Sequence, residues 1–171
     1  MKKKCAIDES LFVHIDGKQL WVIGIIDIQS LNIRIEVSFY KDTTTMKKII
    51  SKYIEQGNII ISDPWPAYNF LDDANSDYRH ITHNHSIGSF GVGSNSSAYI
   101  ENSWANLKDK IKKLYYNIQN SNFILFLKES EWRRNNIYKS KSEKIKDIID
   151  IFKYVNDTAI NLYSIEELMI I

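Results

Sequence analysis

The stretch NIIISDPWPAY (residues 58–68) decides the fold. Its three consecutive isoleucines read as a short buried strand, the run expected of a strand covered on both faces. Pro64 and Pro66 forbid that strand from continuing and fix a rigid turn around Trp65. An acid, Asp63, therefore stands where a buried strand ends, on a turn with little freedom.

Working outward, Asp42 and the threonines at 43–45 offer an N-cap. Met46, Ile49, Ile50, Tyr53 and Ile54 follow at helical spacing, and Gly57 is read as closing that helix. Three strands are expected before it, at residues 5–13 (CAIDESLFV), 20–28 (LWVIGIIDI) and 33–40 (IRIEVSFY). Downstream come a short helical segment at 67–71, a fifth strand at 78–82 and a glycine-rich loop at 83–97. A helix from about 98 to 116 carries Ile100, Trp104, Leu107, Ile111 and Leu114 as its apolar stripe, and a further helix covers 121–136. Residues 137–146 read as a solvated linker and 147–171 as an amphipathic helical tail. This order predicts an α/β layer with a mixed five-stranded sheet flanked by helices. Residues 1–138 are expected to form one catalytic domain, and 139–171 a linker with a helical C-terminal extension.

The 171 residues are 44% hydrophobic and 25% charged, which excludes a disordered chain. No apolar run approaches the roughly 18–20 residues of a bilayer-spanning helix, so no membrane partner is expected. No apolar segment follows the basic start, so no signal peptide is read and an intracellular protein is expected. A single cysteine, Cys5, excludes both a disulfide framework and a cysteine-based zinc site. Ile, Lys and Asn make up 62 of the 171 residues, the bias of an AT-rich coding sequence, so lysines count only by placement. Placement is informative: residues 5–100 carry a net −4 and residues 101–146 a net +6, although the whole chain is +1. A basic helical region beside an acidic sheet is compatible with DNA.

Three carboxylates stand where such a sheet brings groups together. Asp8 lies inside the first strand, Asp63 ends the fourth, and Glu101 is in the first turn of the helix after the loop. All-oxygen clusters suit Mg²⁺ or Mn²⁺. Two such ions, about 3.5–4 Å apart, clamp the attacking and leaving oxygens of a phosphoryl displacement. Glu101, Lys108 and Lys112 fall within about 20° of one line along their helix, a carboxylate followed by two cations. That stripe suits nucleic-acid backbone, and it equally describes an ordinary charged solvent face. Glu101 alone also suits the positive end of its helix. Trp104 reads as core. Trp65 covers the site, stacks on a base or simply packs.

The strings IDES (7–10), ISDPWPAY (61–68), THNHS (82–86) and YIENSWANLK (99–108) together resemble the ISXO2-like, or IS1595-like, transposase domain of insertion sequences. The similarity runs from about Cys5 to about Asn136, where LKESEWRRNN resembles the family's terminal helix. The resemblance implies an RNase H-like fold with Asp8, Asp63 and Glu101 as a catalytic triad of acids holding two Mg²⁺ or Mn²⁺ ions. It implies Lys108 as a ligand of transposon-end phosphate and His85 as a loop histidine near the site, and the helical stripe sets Lys112 on the same line as Lys108. The expected partners are DNA, as element ends and target, with a homo-oligomer as a further expectation. The implied reaction is strand cleavage followed by transfer of the freed 3′-hydroxyl. The implied location is at DNA, nuclear in a eukaryote and cytoplasmic otherwise.

Departures from the family pattern are specific. Pro64 replaces a glycine, Ala98 replaces an amide side chain, and HIDGKQ (14–19) shortens a basic segment. The family's N-terminal DNA-binding region is not read before Asp8, so a truncated or domesticated copy is expected. The alternative to a metal-dependent recombinase is a catalytically silent DNA-binding or interaction module. A third reading is a nuclease acting on RNA–DNA hybrids.

Overall fold

The computed structural model describes residues 2–15, 17–82, 104–109 and 120–158. Strand β1 is Lys4–Ile15, β2 Lys18–Asp27, β3 Ile33–Ser38, β4 Ile59–Ser62 and β5 Arg79–Thr82. Helix α1 is Thr43–Tyr53, a 3₁₀ turn spans Pro66–Asp72, and residues 104–109 are helical (α2). Helices α3 (Asn120–Asn135) and α4 (Lys141–Thr158) follow.

The sheet order is β3-β2-β1-β4-β5. Strands β1, β2 and β3 form an antiparallel meander, whereas β4 and β5 run parallel to β1. Helix α1 supplies the crossover that parallel pairing of β1 with β4 requires. The mixed five-stranded sheet read from the sequence is the one observed.

Side chains alternate between two buried layers. Ala6, Val22, Ile26, Ile35 and Ile61 pack on Trp104 and Leu107 of α2 and on Phe123 and Leu127 of α3. Cys5, Ile7, Ile23, Ile25 and Ile60 pack on Met46, Ile49 and Ile50 of α1 and on Tyr68 and Leu71 of the 3₁₀ turn. Met46, Ile49 and Ile50 are fully buried, each burial being worth about 1.5–3 kcal/mol.

Helix α1 starts as expected, with Asp42 Oδ1 accepting the Thr45 N–H at 2.8 Å. It ends earlier than Gly57: Ile54 is already extended, and Gly57, at φ +83°, belongs to the turn into β4. The expected linker at 137–146 is also shorter than read, because α4 begins at Lys141. Ser140 and Glu143 form a capping box. The Glu143 N–H reaches Ser140 Oγ at 3.3 Å, and Glu143 Oε2 accepts the Ser140 N–H at 2.7 Å. Among the described residues, no helix is long and apolar enough to cross a membrane.

Helix α3 covers the outer edge of β3. Asn135 accepts the Ile33 N–H at 2.7 Å and donates to the Ile33 carbonyl at 2.8 Å. One turn earlier, Glu131 accepts the Ile35 N–H at 3.0 Å and pairs with Arg34 at 3.1 Å. An edge that would otherwise template pairing with another chain is thereby satisfied by side chains.

Candidate active site

Parallel pairing places Ala6 of β1 opposite Ile61 of β4. Two residues further on, Asp8 continues β1, whereas Asp63 stands just past the end of β4. Asp63 lies close enough for its charge to raise the carboxyls of both Asp8 and Glu9. The antiparallel partner of Asp8 is Gly24 of β2, which brings no side chain onto that flank. Asp8 is mostly buried, and its carboxyl is raised from an ordinary 3.8 to about 6. Burial is the largest cause, followed by the charge of Glu9. A hydrogen bond from Trp104 opposes the rise, and the charge of Asp63 adds to it.

Helix α2 lies along this face of β1. Trp104 Nε1 donates to Asp8 Oδ2 at 2.8 Å, and one turn later Lys108 Nζ donates to Ser10 Oγ at 2.6 Å. Phe12, the next residue on that face, meets the Trp104 ring edge-on at 5.8 Å and lies under the Lys108 ammonium at 5.2 Å. An exposed lysine thus stands two residues along the strand from a buried carboxylate.

Asp8 and Asp63 are hard oxygen donors, the chemistry a magnesium or manganese ion takes. Among the described residues no group of three His, Cys, Asp or Glu converges on one point. Glu101, the expected third acid, lies outside the described residues, as do His85 and Lys112.

Residues 12–135 match the ISXO2-like transposase domain. The chain belongs to that family. The match starts four residues after Asp8, so Asp8 lies outside the matched segment and Asp63 within it. An uncharacterized transposase-like protein of Haemophilus influenzae is 32% identical over 111 residues, which is 65% of this chain and 82% of that protein. Among solved structures, the chain is similar to a component of the simian T-cell lymphotropic virus intasome, with TM-score 0.58 and 17% identity. That likeness covers 76% of this chain and 47% of the viral one. The HTLV-2 integrase catalytic core domain in complex with magnesium superposes in its trimeric form at TM-score 0.51 and in its dimeric form at 0.52. Each is 13% identical and covers 76% of this chain, and 82% and 83% of the respective core. The shared feature is the RNase H-like fold.

On the opposite face of this ISXO2-like domain, Glu9 forms a second acidic centre that sequence reasoning left out. Its carboxyl is raised chiefly by burial; the Tyr68 hydroxyl, at 3.0 Å, and Lys41 oppose the rise. Lys41 Nζ is 3.9 Å from Glu9 Oε1 and lies between two indoles, 3.8 Å from the Trp21 ring centre and 4.6 Å from that of Trp65. Trp65 also meets Tyr68 edge-on at 5.7 Å. Packing and a cation–π contact thus account for the half-buried position of Trp65.

The turn holding Asp63 is braced from β5. Ser62 Oγ lies 2.8 Å from His80 Nε2 and 2.9 Å from the Asp63 carbonyl, while His80 Nδ1 lies 2.9 Å from Asp72 Oδ1. Ser62 is fully buried, so this Ser–His–Asp series ties strand ends together and offers no accessible nucleophile. The Ser-Asp dipeptide was legible as a strand end. His80, eighteen residues away, carried no local signal.

Proposed function

We propose that this chain is the catalytic core of a DNA strand transferase, with Asp8 and Asp63 as two of three metal-holding acids and Glu101 as the third. The observation that supports this reading is the parallel β1–β4 pairing, with Asp8 two residues beyond Ala6 and Asp63 two residues beyond Ile61. The charge of Asp63 acts on Asp8, in a member of a transposase family. Integrase cores of the same fold in complex with magnesium support Mg²⁺, or Mn²⁺, as the metal. When bound, a pair of such ions supplies charge stabilisation to the attacking and leaving oxygens of a phosphodiester.

The chain's own residues then have separate tasks. Asp8 and Asp63 are the oxygen ligands, and the buried wall of Trp104 and Phe12 keeps water from one side of Asp8. Lys108, held at Ser10, is placed to take a DNA phosphate close to the acids, with Lys112 and His85 as further contacts outside the described residues. Trp65 borders the Asp63 turn and contacts DNA through its exposed edge. Residues 1–138 form the catalytic unit and 139–171 an extension. Dimeric and trimeric integrase cores support self-association, and element ends and target DNA are the proposed partners. The proposed location is at intracellular DNA.

The test is nicking and joining of duplex DNA carrying the element's ends, with Mg²⁺ or Mn²⁺. Metal-dependent nicks that vanish in Asp63→Asn support the reading. DNA retention without any metal-dependent cut assigns the chain as a silent DNA-binding module, and preference for an RNA–DNA hybrid assigns a different nuclease.

A further inference from the structure

We propose that Trp104 is a positioning residue, whose indole N–H sets the orientation in which Asp8 meets the metal. The inference rests on reading Asp8 and Asp63 as metal ligands, and it goes beyond that reading by naming the group that holds one of them in place.

Trp104 is only 5% exposed, and an indole nitrogen donates without accepting, so its N–H requires an acceptor within the fold. That acceptor is Asp8 Oδ2, at 2.8 Å. A backbone carbonyl would satisfy a structural indole equally well. Here the donor is spent on a carboxylate rather than on a backbone carbonyl.

The indole itself is held from two directions. Phe12 fixes the ring edge-on at an interplanar angle of 77°. Lys108, four residues on, reaches Ser10, two residues on from Asp8, so helix and strand are tied at two successive levels. Four helical residues rise about 6 Å and two strand residues about 6.6 Å, so both ties form without strain. Rotation of α2 about its axis would break both together. Asp8 thus receives its orientation from a buried donor fixed to a neighbouring helix, the arrangement by which outer partners of a metal ligand preset it.

A phenylalanine at this position keeps the aromatic contact with Phe12 and removes the donor. The experiment compares Mn²⁺ affinity, by electron paramagnetic resonance on the full chain, between wild type and Trp104→Phe. The indole ¹H–¹⁵N resonance of Trp104 is followed in parallel in wild type and Asp8→Asn. The expected results are a 10–100-fold weaker Mn²⁺ affinity in Trp104→Phe at near-wild-type melting temperature, and an indole resonance that shifts in Asp8→Asn and on Mg²⁺ addition to the wild type. Wild-type Mn²⁺ affinity in Trp104→Phe overturns the proposal alone. An indole unmoved by both Asp8→Asn and Mg²⁺ overturns it even if the Phe variant fails to fold. A wild type that binds no Mn²⁺ overturns the metal-site reading and this proposal with it.

Discussion

Asp8 on β1 and Asp63, just past the end of the parallel strand β4, are close enough that the charge of Asp63 makes Asp8 harder to ionise. Glu9, next in sequence, adds to the effect, and a divalent cation held between these acids would offset their mutual repulsion. Asp8→Asn is therefore expected to raise stability at pH 7–8 in EDTA by about 2 kcal/mol. The sign follows from the carboxyl being raised to about 6. The folded state keeps a proton that the unfolded state has lost, so stability is highest below about pH 4 and falls as pH rises through 6. Mg²⁺ is expected to raise the melting temperature of the wild type and not that of Asp8→Asn. Thermal melts at pH 5 and 8, with and without Mg²⁺, check both. A variant less stable than the wild type in EDTA at pH 8 would sink the idea.

Glu131 carries a comparable load at the far edge of the sheet. Its carboxylate is buried, accepts the Ile35 N–H, and faces Arg34 at 3.1 Å and Lys128 at 3.4 Å. Lys128 also donates to the Ile35 carbonyl. Glu131→Ala removes the acceptor of a strand N–H, takes the counter-charge from Arg34, and leaves Lys128 with Glu36 at 4.0 Å. A loss of about 2 kcal/mol in urea unfolding is expected, most of it from the unpaired Ile35 N–H. With the edge of β3 uncovered, the variant should also self-associate more readily than the wild type, visible by light scattering. Unchanged stability and unchanged scattering would show the cap to be dispensable.

Most of the sheet was legible because apolar runs, alternation and prolines act locally. Residues 58–66 specify a buried strand and its end without help from elsewhere, and Asp42 caps α1 through a contact three residues away. What escaped local reading depends on long-range faces. Trp104 was legible as a core residue, yet its hydrogen bond to Asp8 spans 96 residues and exists only because α2 settles on the even-numbered face of β1. Glu9 sits one residue from Asp8 and points to the other layer, where Tyr68 and Lys41 meet it. Alternation along β1 separates these two acids, but it does not say which layer each layer-forming helix occupies. The Ser140–Glu143 capping box was readable in principle; the surrounding lysines and serines disguised it as linker.

The brace behind Asp63 should be separable from the acid itself. His80 is 2% exposed in its side chain, and its ring nitrogens lie against Ser62 and the exposed Asp72. His80→Ala leaves the buried Ser62 hydroxyl with only the Asp63 carbonyl and opens a cavity between β4 and β5. A loss of about 2 kcal/mol is expected. Asp72→Asn keeps the ring buried and its second partner polar, so its cost should stay below about 1 kcal/mol. Chemical denaturation of both variants checks the order. Equal losses would mean that the exposed acid, not the buried ring, holds the turn.

Cys5 supplies the alkaline counterpart to Asp8. Burial, helped by Asp27 and opposed by Lys3, pushes its thiol from 9.0 to about 11. The folded chain thus retains the proton while the unfolded chain loses it. Stability from this group is fully present below about pH 9 and is lost as the pH rises through 11, by about 2 kcal/mol in all. Tyr and Lys side chains titrate in the same range, so the effect is read as a difference. Cys5→Ala costs packing at pH 8, because Cys5 is buried against the α1 layer. As the pH is raised to 11 the gap to the wild type should close, since the variant has no thiol to ionise. Parallel stability curves for the two proteins between pH 8 and 11 would show that burial does not hold the Cys5 proton.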